Sequence, residues 1–270
     1  MSALALPPEW LAQLRARAGE QPARPRVPLW AGKSVIGSVE AAFPDEIGLL
    51  PLPDGHFLLQ KAVHDGISGW RVNGEVTSSL TQIAFALRDA GLAGAWRDEQ
   101  LVVVDEQGVR VGTVERAAVR PLGITTFAVH LVARSADGRH WVQQRALTKP
   151  NDPGLWDTLM GGMVPAADTL QQALERETWE EAGLRMAQLK NLCHGGRIAI
   201  RRPCADGRGT GYVVEHIDWF RCTLAEGAVP KNRDGEVAQF ALLDAGDVLR
   251  RLLGNEFTLE AASVLVAAGL

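Results

Sequence analysis

Residues 162–184 read GMVPAADTLQQALERETWEEAGL, and the reading of the whole chain turns on them. The spacing predicts a helix from Asp168 to Ala182, with Asp168 and Gln171 in capping-box positions and Gly183 as the stop. At about 100° per residue, Glu180 falls at about −60° and Glu181 at about +40° from Glu177, so the three carboxylates share one face roughly 100° wide. Leu170, Ala173 and Leu174 lie on the same stripe in the preceding turns. The acids therefore continue a seam along which a packed helix would carry leucine.

A run of charge on a helix is ordinarily a solvated face laced by ion pairs with residues four positions away. Here the cluster has no lysine within four residues and is of one sign apart from Arg176. Like charges at helical neighbour spacing repel, which is costly beside a core unless a cation neutralises them. Carboxylate oxygens are hard ligands that suit Mg²⁺ or Mn²⁺ rather than zinc. A divalent ion so held most often serves phosphate chemistry, polarising phosphoryl oxygens and positioning a water.

Working outward, a turn at residues 135–138 separates strand candidates at Thr125 to Arg134 and Trp141 to Arg145. Leu155 to Val164 is a further apolar segment. Gly211 to Leu224 and Val237 to Leu243 read as strands, and two helices, Ala245 to Leu253 and Thr258 to Ala268, follow. Upstream, Pro8 to Ala18 reads as an amphipathic helix and Gln21 to Pro28 as a linker. Ser34 to Val39 and Phe57 to Val63 read as strands, Ser78 to Ala90 as a helix, and Leu101 to Val104 with Val109 to Val114 as a strand pair. A boundary near Arg120 to Gly123 divides the chain into an N-terminal accessory α+β domain (1–120) and a second domain (121–270). The fold class is α+β.

Composition narrows the function. The 270 residues are 46% hydrophobic and 22% charged, enough for a packed core. A net charge of −4 argues against a nucleic-acid footprint and a polybasic membrane patch. No apolar run reaches the ~18 residues that would span a bilayer, and residues 1–20 lack a signal-peptide core. The cysteines, Cys193, Cys204 and Cys222, are odd in number with no CxxC pair, which argues against a disulfide framework and a structural zinc, and fits the cytoplasm. No P-loop is present, and the glycines at 207, 209 and 211 lack the strand-to-helix setting of a dinucleotide fingerprint. Nothing fixes an orienting partner for Cys193 and His194 as a nucleophilic pair. His130 and His216 fall in strand runs and read as satisfied core or edge histidines, while His56, His64 and His140 fall in or near turns.

The segment at 162–184 resembles the Nudix box, Gly-x5-Glu-x7-Arg-Glu-U-x-Glu-Glu-x-Gly-U, where U is a bulky aliphatic residue. The matching positions are Gly162, Asp168, Arg176, Glu177, Thr178, Glu180, Glu181, Gly183 and Leu184. Asp168 stands for the first glutamate and Thr178 for an aliphatic residue. The resemblance implies a Nudix α/β/α sandwich, with Glu177, Glu180 and Glu181, joined by the main-chain carbonyl of Gly162, holding Mg²⁺ or Mn²⁺. Arg176 would hold the loop through Asp168 and position Glu177. A general base would come from these glutamates or from outside candidates such as Glu215 and Glu236.

The flanks are similar to the Nudix subfamily fused to fungal thiamine pyrophosphokinase and its free-standing plant, yeast and bacterial relatives. Trp141 to Lys149 with Pro153 to Asp157, Val229 to Lys231 with Asp234 to Val237, and Glu115 to Ala118 with Gly123-Ile124 carry that likeness. It implies hydrolysis of thiamine diphosphate, or its oxo and oxy forms, to the monophosphate, with Arg145 and Lys149 clamping the diphosphate. Trp156 or Trp179 is a candidate for stacking on a heterocycle, against the plainer role of core residue. Rival expectations are a Nudix hydrolase of nucleotide-type diphosphates and a regulator that binds a diphosphate without turnover. A Nudix-fold isomerase would need a proton-handling cysteine, and none lies in the strands before the box. A small-molecule diphosphate is the expected partner, without nucleic acid or membrane. The N-terminal domain is expected to cap the site, contact substrate or build a homodimer.

Overall fold

The computed structural model describes residues 6–47, 55 and 57–270, so the turn expected at His56 and the first five residues lie outside it. The chain runs α1 (Pro8–Ala18), β1 (Arg26–Ala31), β2 (Ser34–Glu40), α2 (Phe43–Ile47), β3 (Leu59–His64), β4 (Ile67–Val72), α3 (Val76–Asp89), β5 (Gln100–Val104) and β6 (Arg110–Glu115). It continues with β7 (Thr126–Arg134), β8 (His140–Arg145), β9 (Trp156–Asp157), β10 (Met160–Met163), α4 (Leu170–Ala182), β11 (Leu189–Cys204), α5 (Asp206–Gly209), β12 (Gly211–Leu224), β13 (Val237–Leu243), α6 (Ala245–Leu253) and α7 (Leu259–Ala267).

The larger sheet is mixed, in the order β11-β12-β7-β8-β13, with β10 paired to β7 and β9 to β8. Strand alternation splits β7 between two cores. Val129, Leu131 and Ala133 pack with Ala173, Leu174 and Ala182 of α4. Ala128 and Val132 pack with Val248 and Leu252 of α6 and with Ala261 and Val264 of α7. The result is an α/β/α sandwich whose central strand is covered on both faces. Helix α1 joins the second of these cores through Leu14.

The earlier residues form a four-stranded sheet, β2-β1-β4-β3, and a β5-β6 ribbon, packed around α3. Their core, built on Leu29, Leu80, Ile83, Leu87 and Leu101, also takes in Leu122, Ile124 and Met163. Met163 comes from the box itself, so the two units share apolar packing.

Several expectations are corrected. Residues 21–28 are only partly a linker, because β1 begins at Arg26 and pairs with both β2 and β4. Helix α4 is capped by Thr169, whose hydroxyl accepts from the N–H of Gln172 while the Gln172 side chain accepts from the N–H of Thr169. The capping box thus sits one residue later than Asp168 and Gln171, because Asp168 turns to Arg176. Gly183 ends the helix in the left-handed region, at φ 63°.

Candidate active site

Arg176 organises the start of the site. Its Nε donates to Asp168 at 3.0 Å, its Nη1 donates to Glu177 at 2.9 Å and Glu180 at 3.0 Å, and its Nη2 reaches the carbonyl of Met163 at 3.5 Å. The loop before α4 is therefore tied to the carboxylate face by one guanidinium fork.

The three glutamates differ in depth. Glu181 is buried, and its Oε2 accepts from Gln143 Nε2 at 2.8 Å and from the N–H of Gly161 at 3.1 Å. Burial, joined by the nearby Glu177 charge, pushes its carboxyl up to about 8. Burial pushes Glu177 up to about 7, and Arg176 limits the rise. Glu180 is half-exposed and turned to Arg176. A Cβ at Gly162 would overlap the Glu177 carboxylate, so only glycine lets β10 lie against that side chain.

Among the described residues no three acidic, histidine or cysteine side chains converge as a ready metal cage. The donor set nonetheless fits a hard divalent cation. Glu181 is buried and Glu177 largely so; they are mutually repelling oxygen donors beside the bare backbone of Gly162, and desolvation pushes both carboxyls up. Glu180, the third carboxylate expected there, is engaged by Arg176.

These groups open on a cleft of about 360 Å³ whose lining is dominated by charged side chains. Arg145 and Lys149 both line it. Arg145 donates to the carbonyl of Asn151 at 3.0 Å and stands 3.5 Å from Asp157, while Lys149 pairs with Glu236. Burial would raise the Glu236 carboxyl, but the Lys149 ammonium outweighs it and holds Glu236 below the usual range. Glu215 also lines the cleft. It accepts from the Thr126 hydroxyl at 3.1 Å, and burial pushes its carboxyl up. Of the two outside acids, Glu236 is held ionised at neutral pH and Glu215 is biased toward its neutral form.

Sequence reasoning missed other lining residues. His130 is the buried, hydrogen-bonded strand histidine expected, with Nδ1 3.0 Å from Thr158 Oγ1, and what the sequence did not show is that it also lines the cleft. Gln143, the residue that holds Glu181, lay unremarked within the Trp141 to Lys149 run. A buried amide on a strand is the signal that could have found it. Arg97 and Glu99 come from the N-terminal unit and gave no local signal, while Arg116 and Arg120 were noticed only within the Glu115 to Ala118 run and the boundary segment, not as site residues. Neither candidate tryptophan is offered to a heterocycle. Trp156 is buried with the Arg251 guanidinium over it, and the Trp179 ring carries those of Arg185 and Arg233. His194 pairs with Asp218 at 2.8 Å, outside the cleft lining.

Residues 125–261 match the family described as NUDIX domain. Nudix hydrolase 20, chloroplastic, of Arabidopsis thaliana is 28% identical over 179 residues, 64% of this chain and 46% of that protein. An isopentenyl-diphosphate Delta-isomerase of Streptomyces avermitilis is 28% identical over 169 residues, 62% of this chain and 82% of that protein. The crystal structure of a protein from Deinococcus radiodurans superposes with a TM-score of 0.51 at 19% identity, covering 64% of this chain and 100% of that one. The chain spans about half the length of the curated Nudix hydrolases it matches. No helix among the described residues is long and apolar enough to cross a membrane.

Proposed function

The chain belongs to the Nudix family, and from that premise we propose that it is a divalent-metal-dependent pyrophosphohydrolase. Its substrate is a small-molecule diphosphate, thiamine diphosphate or its oxo and oxy forms, cleaved to the monophosphate and inorganic phosphate. One observation carries the reading. The buried carboxylate of Glu181 and the part-buried one of Glu177 stand against glycine backbone in a cleft that also presents Arg145 and Lys149.

Glu177, Glu181 and the carbonyl of Gly162 would hold Mg²⁺ or Mn²⁺, with Glu180 joining as Arg176 yields it. Bound there, the ion would neutralise charge on the diphosphate oxygens. Arg176 keeps the Glu177 carboxylate against β10. Gln143 and the Gly161 N–H fix the Glu181 carboxylate. Arg145 and Lys149 grip phosphate oxygens, the arginine through a planar fork and the lysine as a point charge. Water attacks the terminal phosphorus, its bond to the bridging oxygen breaks, and the thiamine monophosphate leaves with that oxygen while the attacked phosphorus becomes orthophosphate.

The acids along the cleft support a thiamine-type substrate. Asp157, Glu215 and Glu260 line it beside Thr258 and His130. A thiazolium ring is cationic, and a carboxyl group biased toward its neutral form offers a donor and an acceptor to an aminopyrimidine edge. The division at residue 120 and a cytoplasmic setting belong to the same proposal, the latter supported by three free cysteines.

A second reading, isomerisation of an allylic diphosphate, is favoured by the Streptomyces relative. Cys193, Cys204 and Cys222 do not line the cleft, and its charged walls suit a polar substrate better than a hydrocarbon chain.

The test is phosphate release with Mg²⁺ or Mn²⁺ from thiamine diphosphate and its oxo form, ADP-ribose and nucleoside triphosphates, with Glu181→Gln alongside. Release from the thiamine compounds that collapses in the variant supports the proposal. Preference for a nucleoside compound removes the thiamine substrate, and tight binding without product removes the hydrolase.

A further inference from the structure

We propose that the N-terminal unit is a working part of the active site, with Arg97 and Arg116 forming a cationic clamp on the diphosphate opposite the α4 carboxylates. The inference rests on reading the cleft as a diphosphate site. It adds binding residues from a part of the chain outside the family match, which begins at residue 125.

The clamp is built before any ligand arrives. Glu115, 2% exposed, accepts from the N–H of Arg97 at 3.1 Å and the N–H of Ala117 at 3.4 Å. One buried carboxylate therefore ties together the two backbone segments that carry the arginines. The N–H of Gly94 donates to the carbonyl of Ala117 at 2.8 Å, and that of Arg116 to the carbonyl of Glu99 at 2.8 Å, closing the same junction. The Arg116 side chain is aimed by Glu99, with Nη1 2.8 Å from its Oε2. The Arg97 side chain is exposed, and no hydrogen bond or ion pair engages it among the described residues. A guanidinium held by its backbone into a cleft and left without a protein acceptor is suited to an anionic ligand.

Both arginines face the catalytic side. Each lines the cleft with Glu177, Glu180 and Glu236. Arg116 is among the charges that pull Glu177 back from the rise burial imposes, and both arginines help Lys149 to lower Glu236. The unit is also fastened to the loop of the box. The N–H of Ala166 donates to the carbonyl of Gln100 at 2.7 Å, Arg110 Nη1 donates to the carbonyl of Ala166 at 3.1 Å, and Leu101 bridges Pro165. Met163, one residue after Gly162, is packed in the N-terminal core. The backbone that carries the metal-side glycine and the backbone that carries the arginines are thus one connected frame, so the clamp keeps its distance from α4. Fixing both sides in advance lowers the entropic cost of gripping a flexible diphosphate.

The test is calorimetric titration of the full chain, in Mg²⁺, with imidodiphosphate, a nitrogen-bridged diphosphate that resists hydrolysis. Arg97→Ala and Arg116→Ala should each weaken binding by about tenfold or more, the loss of a charge-assisted contact. Arg97→Lys should recover part of that loss, which a merely structural role would not predict. Arg71→Ala, on the same unit but outside the cleft lining, should bind as the unmodified chain does. Because Arg97 is exposed, its variants test the clamp even if Arg116→Ala misfolds. Unchanged affinity in Arg97→Ala and Arg116→Ala overturns the inference, as does an unmodified chain that does not bind imidodiphosphate. Weakened binding in a chain that hydrolyses nothing leaves the clamp standing and removes the hydrolase. Hydrolysis with unchanged affinity in both variants does the reverse.

Discussion

Glu181 sits where its charge is least welcome. Its carboxyl is pushed up to about 8, so without metal it keeps its proton across a range where an unfolded glutamate, titrating near 4.5, has lost it. The folded chain then binds more protons than the unfolded one between about pH 5 and 8, and stability falls as pH rises through that window. Glu177, pushed up to about 7, adds to the fall in its lower part. Thermal melts of the metal-free protein should therefore show Tm declining from pH 5 to 8. Saturating Mg²⁺ should flatten the decline by taking the place of the protons, and Glu181→Gln should remove part of it. Gly162 supports the same face by lacking a side chain. Gly162→Ala should displace the Glu177 carboxylate and cut turnover by about 100-fold, the scale of a 1 Å misplacement, with circular dichroism unchanged. The acids were legible in the sequence because helical spacing fixes which residues share a face. Their depth was not, because burial of Glu181 is set by Gln143 and Gly161, which reach it from separate strands.

Helix α4 carries one internal flaw. Thr178 replaces the aliphatic residue of the family pattern, is fully buried, and leaves its hydroxyl without a hydrogen-bond partner. An unsatisfied buried hydroxyl costs about 1–3 kcal/mol. Thr178→Val should stabilise the chain by about 1 kcal/mol, seen as a rise in Tm of about 2–4 °C, with turnover unaffected. Helices and two-sided strands were readable from their apolar periods, as α3, β7 and β12 show. Strand β11 was not, because it is an edge strand whose residues, LKNLCHGGRIAIRRPC, alternate poorly and include two glycines beside the Trp219 ring. Strand β1 was hidden by Pro25 and Pro28, which read as a linker although Pro28 pairs with Ser38. At the start of α4 the capping box moved by one residue because a guanidinium competes for Asp168. No count of spacing reveals such a contest.

At the scale of the whole molecule, the site does not respect the division proposed near residue 120. Met163 packs in the N-terminal core, and Arg97 and Arg116 line the cleft from across the division. This was illegible beforehand because it depends on Arg97, Glu99 and Arg116 sharing a cleft with Glu177, Glu180 and Glu236 from far along the chain, a juxtaposition that leaves no periodic trace. The account as a whole rests on water being directed at the terminal phosphorus by a frame that the α4 carboxylates anchor. The most direct measurement is hydrolysis of thiamine diphosphate in ¹⁸O-labelled water with Mg²⁺, followed by ³¹P resonance for the unmodified chain and Glu181→Gln. The account predicts label in the orthophosphate and a rate lower by about 100-fold in the variant. Label in the thiamine monophosphate, or equal rates from the two proteins, would contradict it.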